Sequence, residues 1–324
     1  GLMLPEAYGG SGMGAVEGAI VYEEFGRSLA ASPHFVSALC SGTAILLAGS
    51  EEQKSEWLPR VASGEAIITP AWLERGNGFG PGGIDMRATS DGSGQVLSGS
   101  KWHVAYASSA QALLVLARNE EGGIDLWLVD PAAKGVSMEQ KLTLGSESQY
   151  QVTFDGVRVG PGERVGAPGS GWDTWNAVMH DAVIMLAAQA AGACQRALEI
   201  TVEYSMDRHQ FDKPLAAFQA IAHYLADGQT LVDGATTLAY EAAWARSEGR
   251  AVAKLAPMAK LFACNTYRDV TAMAVQVHGG MGFTVEYDIQ LFFRRAKQLQ
   301  LTWWDSRYLE ELIAAAVPDG PGAR

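Results

Sequence analysis

Two segments in the second half of the chain carry side chains suited to binding an anionic ligand. Arg208 closes a long helix-like stretch, and a guanidinium binds phosphate through two parallel hydrogen bonds. Gln219 has an amide that can both donate and accept. The run Gln276-Val-His-Gly-Gly280 contains glycines that let a ligand approach the backbone closely. These residues indicate phosphate or nucleotide binding. No second histidine or carboxylate stands at metal spacing from His278, so we assign no metal.

Each of these residues also has a structural explanation. An arginine near a helix C-terminus stabilises the helix dipole, and a glutamine on a helix is most often solvated. A helix C-cap by itself would explain Gly279. A lone histidine such as His278 is more often a structural residue than a catalyst. The glycine-rich run from Gly78 to Gly83 follows no strand–helix unit, so it is typical of a loop rather than of a dinucleotide-binding turn.

Composition limits the functional classes that need to be considered. The 324 residues have a formal net charge of −12 and a pI near 5.0, which argues against nucleic acid as a partner. The cysteines Cys40, Cys194 and Cys264 have no disulfide or metal spacing, which fits a reducing cytoplasm. No apolar stretch reaches roughly 18 uncharged residues, so we expect no membrane span.

The pattern along the chain divides it into three domains and a tail. Residues 1–65 read as a partial helical domain, in which Val16 to Leu29 has helical spacing and Ser50 is an N-cap. Residues 66–167 read as a β-domain, a barrel or sandwich, with turns at Ser90–Gly94, Glu120–Gly123 and Asp155-Gly156. Residues 168–317 read as helical, and 318–324 as a disordered tail.

The helical region is expected to form an antiparallel four-helix bundle. The predicted helices cover roughly 173–207, 214–247, 250–279 and 304–316. Pro214 suits a first helical position, and Gly249 with Gly279-Gly280 suits helix exits. This α+β order excludes a doubly wound nucleotide-binding fold.

Four segments together resemble one protein family. Arg208 to Gln219 resembles R-x-x-F-G-x-x-(L/I)-x-x-F-Q, and Gln276 to Lys297 resembles a Q-x-(H/F)-G-G-x-G segment that ends in R-D-A-K. Pro5 to Gly10 and Gly49 to Gly64 match further segments, in the same order along the chain. The chain thus resembles the acyl-CoA dehydrogenase family. The resemblance implies N-terminal helices, a middle β-barrel and a C-terminal four-helix bundle. It also implies a dimer or a dimer of dimers with FAD at an interface.

The same resemblance implies roles for single residues. Arg208 would bind the pyrophosphate of a flavin held mainly by the neighbouring subunit. The adenine side and the adenosine–pyrophosphate region would be contacted by Phe211, Phe218, Gln219, Gln276, Gly279 and Gly280. His103 stands where the family strand K-x-W-I-T-N has its tryptophan, unless Trp102 shifts into that place.

The chain departs from the family at the residues that matter most for chemistry. The two positions that hold the catalytic glutamate in different members read Trp303 and Ala182. Asp181 and Asp305 are neighbours of these positions, but a shift of one or two residues redirects a helical side chain. Their structural alternatives are a helix-surface position for Asp181 and a cap of the last helix for Asp305. Asp212 replaces the glycine that usually follows the phenylalanine, and Thr69 to Arg75 lacks most of the family's T-E-P-x-x-G-S-D segment.

Three functional hypotheses follow. The first is a base-less subunit, like those of heteromeric actinobacterial acyl-CoA dehydrogenases, which completes a shared flavin site for α,β-desaturation of an acyl-CoA. The second is a self-sufficient homomer that uses Asp181 or Asp305. The third is a repurposed flavin monooxygenase. The resemblance also implies an electron-transferring flavoprotein as electron acceptor and helices that would precede residue 1.

Overall fold

The computed structural model describes residues 1–76, 78–92 and 94–317. They form two compact units. The first combines Gly1–Met13 with Ser32–Ala182, and the second combines Gly14–Ala31 with the chain from Val183 onward. The predicted disordered tail, 318–324, lies outside the described residues. The predicted α+β order of N-terminal helices, β-domain and C-terminal helices is confirmed.

The first unit begins with a helical layer. A π-helical turn, Phe35–Gly42, leads into α2, Thr43–Ala48, and α3 follows at Glu51–Ser63. Ser50 caps α3 as predicted: its hydroxyl accepts from the Gln53 N–H at 3.2 Å, and Gln53 Oε1 accepts from the Ser50 N–H at 3.0 Å. The Gln53 amide also donates to the carbonyl oxygens of Gly162 and Arg164, so this cap ties α3 to the end of the β-domain.

The β-domain is one eight-stranded sheet with the order β6-β7-β3-β2-β4-β5-β8, in which β1 pairs with β4. Its strands are β1 Ile68–Ala71, β2 Arg87–Ser90, β3 Gln95–Ala105, β4 Ala112–Arg118, β5 Ile124–Val129, β6 Val136–Lys141, β7 Gln149–Val159 and β8 Arg164–Val165. Leu97, Trp127, Val152 and Phe154 are buried in its core. The segments predicted as turns at 90–94 and 120–123 connect β2 to β3 and β4 to β5, and Ser93 of the first lies outside the described residues.

The turn predicted at Asp155-Gly156 is wrong. β7 continues through it to Val159, and the pairing with β3 shifts register between Leu97 and Gly99. Gly156 has φ 65, so the two residues form a bulge that kinks the strand without ending it. An Asp-Gly pair is compatible with both a bulge and a turn. Only the pairing with the neighbouring strand β3 shows which of the two forms.

The second unit is helical. Its elements are α1 Ala15–Arg27, α4 Gly171–Asp207 (whose first residues belong to the first unit), β9 His209–Gln210, β10 Lys213–Pro214, α5 Gln219–Ser247, α6 Leu255–His278, α7 Ile289–Leu301 and α8 Ser306–Ala316. α6 packs against α5, α7 and α8. α4 is long and apolar enough to cross a membrane, but 78% of its most apolar window is buried, as in the core helix of a folded domain.

Several helix predictions for this unit need correction. Pro214 is not a first helical residue, since it pairs with His209 in a two-stranded hairpin and α5 begins only at Gln219. α7, Ile289–Leu301, was not predicted, and α8 begins at Ser306 rather than 304. The exits at Gly249 and Gly279 are confirmed, with φ 67 and 63.

Candidate functional site

Arg208 leads from α4 into a tight hairpin. The N–H of Leu215 donates to the carbonyl oxygen of Arg208 at 2.8 Å, and β9 and β10 lie antiparallel between them. Phe211 and Asp212 form the two-residue tip, with φ 55 and 62. Two successive positive φ values favour glycine or asparagine, and aspartate tolerates them better than most residues. This explains why glycine fits the position of Asp212.

The hairpin presents cations and aromatic rings together. Arg208 is exposed, and Phe211 has 87% of its surface exposed. The ring of Phe218 lies edge-on to Phe211 at 6.2 Å between centroids, and Lys213 Nζ lies 4.3 Å from the centroid of Phe218. Lys213 was missed from the sequence, and a hairpin prediction would have placed it only opposite Gln210. This combination suits a phosphate with an attached aromatic base.

The three glycines after α6 differ in the structural constraint that requires a glycine. Gly279 has φ 63, which side chains rarely adopt. A Cβ on Gly282 would lie 2.7 Å from the carbonyl oxygen of Val275. Gly280 has neither constraint: its φ is ordinary for any residue, and a Cβ there would meet nothing within 4 Å. The surface above Gly280 is therefore open, and the described chain contains no reason for a glycine there.

An aromatic cluster joins the two segments. The rings of Tyr204 and His278 stack at 4.2 Å, and Tyr287 lies edge-on to both. His278 is buried, which lowers its pKa, and its Nδ1 donates to the carbonyl oxygen of Ala274 at 2.8 Å. Arg208 lies one helical turn after Tyr204. The structure therefore brings the end of α4, which Arg208 directly follows, together with the end of α6, where Gln276 is exposed beside Gly279 and Gly280.

His278 has a structural role, in agreement with the second of the two interpretations of this residue, because its ring stacks on Tyr204 and bonds a backbone carbonyl. Tyr204 and Tyr287 were missed from the sequence, because aromatic residues that position a site look like ordinary core residues. The signal that could have found Tyr204 is its one-turn spacing from Arg208, which places both on one helix face.

Trp303, which the resemblance aligns with the usual catalytic glutamate, lies in the connection between α7 and α8. Trp303 and Trp304 have φ 54 and 73, an unusual pair for residues with large side chains. Trp304 is fully buried, and Trp303 is partly exposed. Asp305 is the N-cap of α8: its carboxylate accepts from the Tyr308 N–H at 2.9 Å. The carboxylate of Asp305 is thus engaged in capping, while Trp303 has no group that can accept a proton.

The second position is inside a helix. Ala182 is fully buried in α4, and Asp181 beside it is partly exposed. Ala182 has no proton-accepting atom, and the neighbouring Asp181 is rotated by about 100° around the helix axis at 3.6 residues per turn. Asp181 therefore points away from the direction that residue 182 faces.

His103 lies at a bulge in the β-domain. Its φ is 56, and the β3–β7 register shifts between Lys101 and Val104. The His103 ring is exposed and donates through Nδ1 to Gln149 Oε1 at 3.0 Å. Because the bulge inserts one residue, the alternation expected for a flat strand does not hold here. Trp102 is partly buried and lies under Arg75 and Lys141, with distances of 5.4 and 5.6 Å from its ring centroid to their cationic atoms.

A buried ion pair next to this bulge was not predicted. Lys101 Nζ lies 2.6 Å from Glu74 Oε1, and Glu74 also accepts from the N–H groups of Asp85 and Met86. Burial lowers the pKa of Lys101 to about 8, against the raising effect of Glu74. Glu74 lies in the segment that replaces the T-E-P motif, so this carboxylate fastens that segment to β3.

The second unit therefore fits a nucleotide anion. Arg208 supplies an exposed cation, Phe211 and Phe218 supply aromatic faces, and Gly280 leaves the backbone open to close approach. Among the described residues, no cluster of histidines, cysteines or carboxylates has the arrangement of a metal site.

Comparison with known proteins gives a consistent picture. Models of the acyl-CoA dehydrogenase N-terminal, middle and C-terminal domains match residues 1–65, 70–157 and 169–317. The acryloyl-CoA reductase (NADH) of Anaerotignum propionicum is 31% identical over 98% of this chain and 83% of its own length.

Two solved structures are similar throughout. Butyryl-CoA dehydrogenase from Megasphaera elsdenii has a TM-score of 0.90 and 26% identity, covering 97% of this chain and 85% of its own. The ChsE4–ChsE5 complex from Mycobacterium tuberculosis has a TM-score of 0.88 and 29% identity, covering 97% and 84%. Matches to all three domain models, with a relative of this identity and coverage, establish that the chain belongs to the acyl-CoA dehydrogenase family, whose members are oxidoreductases acting on CH–CH bonds.

Proposed function

We propose that this chain is a subunit of an FAD-dependent acyl-CoA dehydrogenase that completes a flavin site shared with a homologous subunit and supplies no catalytic base. The observation that carries the proposal is the connection between α7 and α8. By the resemblance Trp303 takes the place of the base, and the carboxylate closest to it in sequence, Asp305, caps α8.

The chemistry requires a proton acceptor. Desaturation removes the weakly acidic α-proton of a thioester while the β-hydrogen leaves as a hydride, and a placed carboxylate with a raised pKa serves the first step well. FAD, when bound, supplies the acceptor for the hydride. Neither the indole of Trp303 nor the methyl group of Ala182 accepts a proton, so the base comes from the partner subunit.

This chain's own contribution is to bind and orient the nucleotide end of the cofactor. Arg208 would hold the pyrophosphate, and the exposed Phe211 would lie against the adenine, with Phe218 behind it. Gln219, Gln276, Gly279 and Gly280 would border the adenosine. An exposed phenylalanine at a strained hairpin tip and an unconstrained Gly280 both support a ligand or partner that covers this surface.

A heteromeric partner is supported by a relative. The ChsE4–ChsE5 structure is a complex of two differently named chains and is similar to this chain over 97% of its residues. We place the protein in the cytoplasm, with an acyl-CoA as substrate and an electron-transferring flavoprotein as electron acceptor. Trp303 is larger than the glutamate it replaces. We therefore expect the acyl-binding site to differ in shape from that of a fatty acyl-CoA dehydrogenase.

Two alternatives make different predictions. A self-sufficient homomer would use Asp181 or Asp305 as base, so replacing each with asparagine would abolish turnover. The N-cap bond of Asp305 argues against that role for this residue. A flavin monooxygenase of the same fold needs no α-proton base and would consume oxygen together with reduced flavin and hydroxylate its product. His103 in the β-domain is a further candidate flavin contact.

The decisive experiment compares the chain purified alone with the chain co-expressed with a homologous dehydrogenase, and measures bound flavin per chain. Flavin only in the co-expressed complex, at one per pair, supports the proposal. In that complex Arg208→Gln should reduce flavin content, whereas the matched control Arg250→Gln, an exposed arginine stacked on Trp244, should not. One flavin per chain in the single-protein preparation, with normal acyl-CoA desaturation, would disprove it.

A further inference from the structure

Lys260 is a lysine without any exposed surface in the middle of the second unit. It lies on α6 with 0% of its surface exposed. Burial lowers the pKa of its ammonium, while Asp305 and Cys264 act in the opposite direction. A buried ammonium is tolerated only when its protons have hydrogen-bond acceptors, so the surroundings of Lys260 indicate what the residue is for.

All three protons of the Lys260 ammonium have backbone acceptors in one short segment. Nζ lies 3.1 Å from the carbonyl oxygen of Leu299, 3.0 Å from that of Thr302 and 2.8 Å from that of Trp304. Leu299 belongs to the last turn of α7, whose carbonyls lack partners within the helix. A lysine has three donors and no acceptor, so these three bonds use its full capacity.

The segment held in this way is the strained connection between α7 and α8. Trp303 and Trp304 both have left-handed backbone angles, which persist only where surrounding contacts enforce them. Lys260 bonds the carbonyls on both sides of Trp303, those of Thr302 and Trp304. The N-cap bond of Asp305 to Tyr308 fixes the far end. The backbone of Trp303 is thus restrained from both sides.

An apolar residue could not replace this lysine without cost. Apolar residues substitute for buried charges without loss of stability when all the polar partners are replaced together, and here the partners are backbone carbonyls. An apolar residue at position 260 would remove the hydrogen bonds to the carbonyl of Leu299 in the last turn of α7 and to those of Thr302 and Trp304 in the turn that follows. The function that distinguishes lysine at this place is therefore the backbone conformation that directs the partly exposed Trp303 side chain, while Trp304 is buried.

We propose that Lys260 is a positioning residue that fixes the direction of the Trp303 indole and thereby the shape of the site that receives the acyl group. This rests on the proposed function in one respect, because Trp303 is placed beside the acyl group through its correspondence to the usual catalytic glutamate. The clamp itself rests on the three hydrogen bonds of Lys260.

The first measurement reports on Trp303 directly. The chain contains nine tryptophans, so 5-fluorotryptophan labelling followed by fluorine NMR gives a resonance for each, and Trp303→Phe identifies the one from Trp303. In Lys260→Met we expect this resonance to move or broaden while resonances from the first unit stay in place. The matched control is Lys254→Met, which removes an exposed lysine just before α6 and should change nothing.

The second measurement separates substrate binding from chemistry in the co-expressed, flavin-loaded complex. Lys260→Met should raise KM for the acyl-CoA at least fivefold and change kcat less than twofold, with flavin content unchanged. In a variant that already carries Trp303→Ala, Lys260→Met should add little to KM. Should Lys260→Met fail to accumulate as folded protein, Lys260→Gln keeps an amide donor and is measured in the same way.

The outcomes distinguish this inference from the proposed function. A Trp303 resonance that is unchanged in a folded Lys260 variant would overturn the clamp, whatever the flavin content. A shifted resonance with an unchanged KM would overturn the link to the acyl group while leaving the flavin result untouched. A failure of the shared flavin site would appear in the flavin titration alone.

Discussion

The imidazole of His278 stacks on the phenol ring of Tyr204, with 4.2 Å between the ring centroids and 20° between the ring planes. The Tyr204 hydroxyl also donates to the carbonyl oxygen of His278 at 3.4 Å. This pair joins the end of α4, just before Arg208, to the end of α6, just before the glycines. Residues distant in sequence that could contact one nucleotide are therefore held together by two rings that would not contact it.

Weakening this stack should loosen both segments together. We expect Tyr204→Leu and His278→Leu each to destabilise the chain, with a coupling energy of about 1 kcal/mol between them beyond their separate effects. A double-mutant cycle of urea unfolding measures this coupling. Flavin affinity in the complex should fall in both single variants. Independent, additive effects would show that the stack does not connect the two segments.

The two glycines near α6 should respond oppositely to alanine. Gly282→Ala forces a methyl group to within 2.7 Å of the Val275 carbonyl oxygen, so we expect a loss of about 2 kcal/mol or more in the free energy of unfolding. Gly280→Ala meets open space and should leave stability within about 0.5 kcal/mol. Flavin affinity should nevertheless fall in Gly280→Ala. Chemical unfolding and flavin titration together test this pair, and wild-type flavin affinity in Gly280→Ala would argue against close ligand approach.

The hairpin tip can be stabilised. Asp212 has φ 62, a backbone conformation that glycine adopts at no steric cost. We therefore expect Asp212→Gly to raise the free energy of unfolding of the chain by between zero and about 1 kcal/mol. Asp212→Val should destabilise it by a similar or larger amount, because a β-branched residue resists positive φ. Thermal unfolding of the two variants side by side measures the effect. Equal melting temperatures would mean that the tip does not keep this conformation in solution.

Stability should depend on alkaline pH through Lys101. Its pKa is about 8 in the folded chain, below the ordinary value of 10.5, so the unfolded state binds more protons between these values. Stability therefore increases as pH rises from about 8 to 10.5, by up to about 3 kcal/mol at roughly 1.4 kcal/mol per pKa unit. Unfolding across this range should show the increase in wild-type protein. The double variant Lys101→Met/Glu74→Gln removes the pair without leaving a lone buried charge, and should lack it.

Local patterns allowed the sequence to predict several elements correctly. The capping box of Ser50 and Gln53 and the exit at Gly279 depend on residues within one or two helical turns, so their spacing alone is sufficient. α7 was missed although Ile289, Phe292, Phe293 and Ala296 have the three- and four-residue spacing of a helix, because Asp288 at its start makes no cap bond and the segment had been compared only with a family motif. Pro214 was misassigned because a proline suits both a first helical turn and a hairpin strand, and the bond from Leu215 to Arg208 decides between them.

The sequence by itself determined the family, the domain order and the absence of a carboxylate at position 303, since these depend on residue identity and order. Only the tertiary structure decided that Gly280 alone among its neighbouring glycines has no constraint in the chain, and that Lys260 holds the turn at Trp303. The physical reason is that a buried ammonium needs hydrogen-bond acceptors, and the fold determines which backbone carbonyls lie close enough to accept. Lys260 finds its own on carbonyls that lie 39 to 44 residues further along the chain, and backbone carbonyls carry no signature in the sequence.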